Sequence, residues 1–143
     1  LRDPGNLGTL LRTGDAIGAG GLILIDDCAD PFSAEAVRAS MGAVFTQRIA
    51  QASWAEFIGW LRQGDAQLVA ASLRDAKPYR GAGYDAPCFI LIGNESRGLP
   101  QEYEDACDLR VTIPMRGAAD SLNAAIAGAV LAYEALACLA DKP

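Results

Sequence analysis

Histidine is missing altogether from the 143 residues, which removes Ser-His-Asp and Cys-His catalysis and the commonest zinc ligand. Any chemistry must rest on Arg, Asn, Glu, Ser or a bound cofactor. Paired cysteines are missing too: Cys28, Cys88, Cys107 and Cys138 stand far apart with no CxxC among them. Reduced core thiols fit that spacing better than a metal or redox centre. No basic, cleavable leader opens the chain. Positive charge is scarce, with 12 Lys and Arg against 18 Asp and Glu for a net charge of -6. A free-standing nucleic-acid binder normally shows the opposite balance. One long apolar run exists, from Leu122 to Leu139, but it is Ala-rich, contains Glu134 and lacks basic flanks. It reads as a buried helix, and no membrane partner is expected.

What is present is apolar residue, 51% of the chain, enough for one domain that buries about two thirds of its unfolded surface. Leu7, Leu10, Leu11 and Ile17 recur at helical spacing, with Asn6 placed to cap the helix and the glycines of 18–21 to end it. A strand is expected at 21–25, a helix from after Ser33 to about Met41, and a strand at 44–48. Ser53 and Glu56 form a capping box for a helix ending near Gly64, followed by a strand at 67–72. The polar segment 73–87 reads as loop; strands at 88–92 and 109–113 flank an acidic helix at 101–106, and a long helix starts at Ser121. Alternating strands and helices imply an α/β fold with a mainly parallel sheet and helices on both faces. A dinucleotide fingerprint is excluded, because Gly18-Ala19-Gly20-Gly21 ends a helix and opens a strand, the reverse of the required order. There is no Gly-Lys-Ser/Thr phosphate loop either.

Three blocks carry chemistry. Asp3-Pro4-Gly5-Asn6-Leu7-Gly8-Thr9-Leu10-Leu11-Arg12 stands near the start, and Gly93-Asn94-Glu95-Ser96-Arg97-Gly98-Leu99-Pro100 follows the apolar run ending at Ile92. Ile113-Pro114-Met115-Arg116-Gly117 comes next, with Ser121-Leu122-Asn123 soon after. A strand end that turns polar as abruptly as Ile92-Gly93 is where open α/β sheets place ligands. Arg12 points away from the leucine stripe, with Gly8 one turn earlier leaving that side open; read alone, it is a solvated arginine paired with Asp15. Ser121 read alone is a helix N-cap.

In order and spacing the three blocks resemble the motifs of the SpoU/TrmH family of RNA ribose methyltransferases, part of the SPOUT superfamily, over essentially the whole chain. The resemblance implies a C-terminal trefoil knot, S-adenosylmethionine as cofactor without metal, and methylation of a ribose 2′-hydroxyl in tRNA or rRNA in the cytoplasm. It puts Asn6 and Arg12 on the first-motif Asn and catalytic Arg, and adds Glu95, Ser121 and Asn123 to the catalytic set. It assigns cofactor contacts to Ser72, Leu73, Gly93, Asn94, Leu99, Ile113, Met115 and Leu122. Because the chain starts almost inside the first block, residues 1–143 are read as an N-terminally truncated methyltransferase domain, its first strand and any RNA-binding domain absent. The last helix is apolar nearly all round, and Ala124, Gly128 and Ala132 form a smooth strip on it. A C₂ homodimer centred there is expected. A second reading stays open: a non-catalytic module of the same fold that binds a nucleotide-like ligand or a protein partner.

Overall fold

Asp3 and Pro4 start the first helix. In the computed structural model, which describes residues 1–143, the Asp3 carboxylate accepts from the Asn6 backbone N–H at 3.1 Å. Pro4 sits in the first turn, where the missing N–H costs nothing. Helix α1 thus covers Pro4–Ile17; Asn6 lies inside it, and the expected cap role belongs to Asp3. Gly18 ends the helix at a left-handed φ of 70°. The chain divides into two compact units, Leu1–Gly64 and Asp65–Pro143.

Within the first unit, Leu7 and Leu11 are fully buried and Gly8 is buried between them. A Cβ on Gly8 would come within 2.3 Å of the Ala36 carbonyl oxygen, so α2 (Ala34–Ser40) crosses α1 at backbone contact. The open side expected beside Gly8 is therefore filled by α2. Strand β1 (Leu22–Ile25) pairs in parallel with β2 (Ile49–Ala52), Leu22 opposite Ile49. The strand expected at 44–48 is a correction: Ala43–Phe45 forms one 3₁₀ turn and pairing starts only after Arg48. Val44 is apolar because it packs with Leu11 and Ala43 in a core cluster. The capping box of α3 (Trp54–Leu61) is present as read: Glu56 N donates to Ser53 Oγ and Ser53 N to Glu56 Oε1. The bond from the Ser53 backbone N–H, with the Ser53 side chain second, holds the Glu56 carboxyl below its ordinary pKa.

The second unit is built on β3 (Gln67–Ala71), β4 (Lys77–Pro78), β5 (Cys88–Leu91) and β6 (Leu109–Thr112), in spatial order β4-β6-β3-β5 and all parallel. Helices α4 (Gln101–Asp105) and α5 (Ala124–Ala140) complete it. The segment expected as plain loop at 73–87 holds β4 and two core residues, Ala82 and Tyr84. Pro78 hid the strand, since proline is tolerated only on an edge such as this one. Tyr84 is wholly buried, its hydroxyl donates to the Tyr79 carbonyl, and burial pushes its pKa up to about 12. It packs in one cluster with Val69, Leu109, Val111, Leu131 and Ala135.

Helix α5 has two faces. Ala125, Gly128, Leu131 and Ala135 are buried, whereas Ile126 and Tyr133 are 53% and 54% exposed, with Leu136 also uncovered. Gly128 thus belongs to the inward face, which corrects its place in an outward strip with Ala124 and Ala132. No helix is long and apolar enough to cross a membrane.

Candidate active site

Three neighbouring parallel strands, β6, β3 and β5, present their carboxyl ends at one end of one sheet. Ser72 and Leu73 follow β3, the segment from Gly93 to Leu99 follows β5, and Ile113 and Met115 follow β6. Of the residues expected to hold the cofactor, all but Leu122, which stands just before α5, thus follow strand ends where parallel sheets take ligands. Ser72 is buried; its N–H donates to the Val111 carbonyl at 2.9 Å and its hydroxyl accepts from Arg74 N–H at 3.0 Å. What Ser72 adds is a fixed turn. Leu73, just beyond, is 82% exposed.

The loop after β5 is closed on itself. Asn94 N–H donates to the Gly98 carbonyl and Gly98 N–H to the Asn94 carbonyl, at 3.2 and 2.9 Å. The Asn94 carboxamide oxygen accepts from Ser96 N–H, Ser96 Oγ–H and Arg97 N–H, so this side chain builds the loop. A Cβ on Gly93 would lie 2.6 Å from the Gly98 carbonyl carbon, and Gly98 has a φ of 65°. Both glycines are required by the loop's own closure. Glu95 and Arg97 project from it, exposed, while Leu99 is half-buried.

After β6 the chain is irregular as far as Asn123. Ile113 and Met115 are half-buried and Ser121 is exposed. The cap of α5 is Asn123, whose oxygen accepts from Ala125 N–H at 2.9 Å and Ile126 N–H at 3.2 Å. Ser121 stands outside the helix, a correction to its reading as N-cap.

The first-block residues lie in the other unit. Arg12 is exposed on α1 and makes no ion pair with Asp15, whose carboxylate instead accepts from the Thr46 hydroxyl at 3.0 Å. Asn6 is half-buried six residues earlier, about 9 Å along the helix axis. Thus Asn6 and Arg12 share one helix in the first unit, and Glu95, Ser121 and Asn123 belong to the second. Arg97 and Arg116 are likewise exposed. Such guanidiniums are suited to phosphate or to a developing oxyanion. Burial pushes the Cys88 thiol up to about 11, so it is a packed group and no nucleophile at neutral pH.

The sequence profile of the SpoU rRNA Methylase family matches residues 1–133. This chain belongs to that family. Among curated relatives, the SpoU chain is 31% identical over 93% of its length to the 23S rRNA (guanosine(2553)-2'-O)-methyltransferase RlmP of Bacillus subtilis, covering 54% of it. It is 36% identical over 93% of its length to the 23S rRNA (uridine(2479)-2'-O)-methyltransferase of Streptomyces viridochromogenes, covering 48% of that protein. An AdoMet-bound rRNA methyltransferase from Sinorhizobium meliloti superimposes with a TM-score of 0.91 at 48% identity, over 94% of this chain and 52% of that one. The chain spans about half the length of the curated relatives it matches.

Two residues of the second unit escaped the sequence reading. Glu104, an α4 residue only 7% exposed, holds Arg74 from the segment after β3. Thirty positions separate the pair, and nothing in local patterning marks such a partnership.

Proposed function

We propose that residues 1–143 serve as the methyltransferase domain of an enzyme that methylates the ribose 2′-hydroxyl of tRNA or rRNA with S-adenosylmethionine. The observation that carries this reading is the convergence of the segments after β3, β5 and β6 at one end of a parallel sheet. Family membership and the 2'-O-methyltransferase names of the relatives support the chemistry. The donor set fits the cofactor: main-chain groups around Gly93, Leu99 and Ile113 suit its polar parts, and the uncovered side chains of Leu73 and Leu122 suit a flat heteroaromatic ring. When bound, it supplies an electrophilic methyl group on a positively charged sulfur.

The remaining work falls to the chain's own residues. An arginine has a pKa above about 12 and makes a poor base. Arg12 instead stabilises negative charge growing on the ribose oxygen or clamps the adjacent phosphate, while the hydroxyl proton passes to an RNA oxygen or water. Glu95 places a carboxylate near the cofactor loop, and the exposed Ser121 hydroxyl offers a contact for the ribose. Positioning of the 2′-oxygen in line with the methyl group supplies much of the acceleration. A cytoplasmic location is part of the same proposal, supported by the tRNA or rRNA substrate it assigns. The C-terminal knot belongs to the same proposal, as does a two-fold homodimer through the outer face of α5, whose uncovered Ile126, Tyr133 and Leu136 support it.

Titration calorimetry with S-adenosylmethionine and S-adenosylhomocysteine tests the reading. Both should bind, and EDTA should leave the affinity unchanged, since no group of three His, Cys, Asp or Glu side chains is arranged to hold a metal. Absence of binding at millimolar ligand would return the chain to the non-catalytic module.

A further inference from the structure

Glu104 is the one acidic side chain counted among the buried polar residues of the protein, and no step above uses it. Burying a carboxylate is costly unless it is paired and hydrogen-bonded. Its partner is Arg74, which donates from Nε to Oε2 at 2.9 Å and from a terminal nitrogen to the same oxygen. The acid holds Arg74 in its charged form, raising the guanidinium above its ordinary pKa.

What matters is where the two ends of this pair sit. Arg74 belongs to the turn after β3, and its backbone N–H is already tied to Ser72 Oγ at 3.0 Å. Asp75, next in the chain, carries a φ of 47°, a left-handed turn conformation that aspartate adopts more readily than most non-glycine residues. Glu104 stands on α4, the helix that follows the self-closed loop after β5. The ion pair therefore fastens the Ser72–Asp75 turn to the helix behind the second cofactor segment. Without it, the exposed Leu73 would be carried by a turn held only through Ser72.

We propose that Arg74 and Glu104 are positioning residues that hold the 72–75 turn in the shape that receives the cofactor, an inference that rests on the cofactor reading given above. Neither side chain need touch the ligand. The pair sets Leu73 and the main chain around it, and its loss lets that turn sample other shapes, which lowers affinity by the fraction of molecules no longer competent.

The test uses the intact chain, with S-adenosylhomocysteine as calorimetric probe and hydrogen exchange of the Leu73, Arg74 and Asp75 amides in the unliganded protein. Glu104→Gln and Arg74→Lys should each weaken binding about tenfold or more and speed exchange at those amides, because a neutral acceptor or a point charge cannot replace the planar fork on a carboxylate. The decisive variant is Arg74→Met with Glu104→Leu, which removes both charges and so leaves no unpaired carboxylate where Glu104 is buried and Arg74 half-exposed. It should melt near the wild type yet keep both the weakened binding and the faster exchange. Wild-type affinity in that double variant, or in both single variants, would overturn the proposal and leave the pair a packing element. A wild-type chain that fails to bind the probe at all would instead strike the cofactor reading, and this inference with it.

Discussion

At the scale of single residues, Arg12 is the sharpest case. Its guanidinium is exposed and not engaged by Asp15, so replacing it removes no internal contact and should not disturb the fold. Arg12→Ala should leave S-adenosylhomocysteine affinity near the wild-type value while lowering single-turnover methyl transfer roughly a hundredfold or more, the scale of a lost charge-stabilising donor. Arg12→Lys should not restore it, because an ammonium cannot reproduce the fork. Near-normal transfer by either variant in a quench-flow assay would make Arg12 an ordinary solvated side chain. The sequence singled out candidate residues but often misjudged their local duties. Asn6, Asn94 and Asn123 all read as site residues, yet the side-chain oxygen of Asn94 is spent closing its loop and that of Asn123 capping α5. A motif residue at a turn or cap is required by local structure whether or not it also serves chemistry, and spacing alone does not separate the two.

Among the elements, the α1–α2 crossing depends on a single missing side chain. Gly8→Ala would drive a Cβ to 2.3 Å from the Ala36 carbonyl oxygen, and relief requires the helices to move apart at an overpacking cost of about 1–3 kcal/mol. Gly59 in α3 gives the opposite sign. A Cβ there meets nothing within 4 Å, so Gly59→Ala should stabilise by up to about 1 kcal/mol through helix propensity. Urea unfolding of the two variants measures both, and a Gly8→Ala protein as stable as wild type would refute the backbone contact. Elements with strong signals were legible to within a residue or two: the Ser53 box, the strand from Gln67, the run from Cys88. Those set by distant partners were not. Val44 looked like strand because it is apolar, but its partners are Leu11 and Ala43, and Lys77–Pro78 looked like loop because only β6 makes it a strand.

On the scale of the whole molecule, charge and apolar surface point to different neighbours. The net charge of -6 disfavours broad RNA contact, so under the proposed function the exposed arginines act locally. The outer face of α5 is what another protein surface would cover. Tyr133→Arg, which touches no buried position, should convert the expected dimer to monomer by light scattering at micromolar concentration while leaving the far-ultraviolet dichroism intact. A wild-type chain that is monomeric under those conditions would dispose of the dimer. The apolar helix itself was plain in the sequence; which face it buried was not, because Gly128 and Ala132 look alike until the sheet chooses between them. The strand order β4-β6-β3-β5 has a last consequence, and it concerns time. Strand β6, residues Leu109–Thr112, lies between two strands made some 30 to 40 residues earlier. As the chain leaves the ribosome, β3 and β4 must wait with an edge unpaired until β6 emerges and inserts. The end of the second unit's sheet that carries the segments after β3, β5 and β6 is therefore finished late, by a strand arriving at the middle.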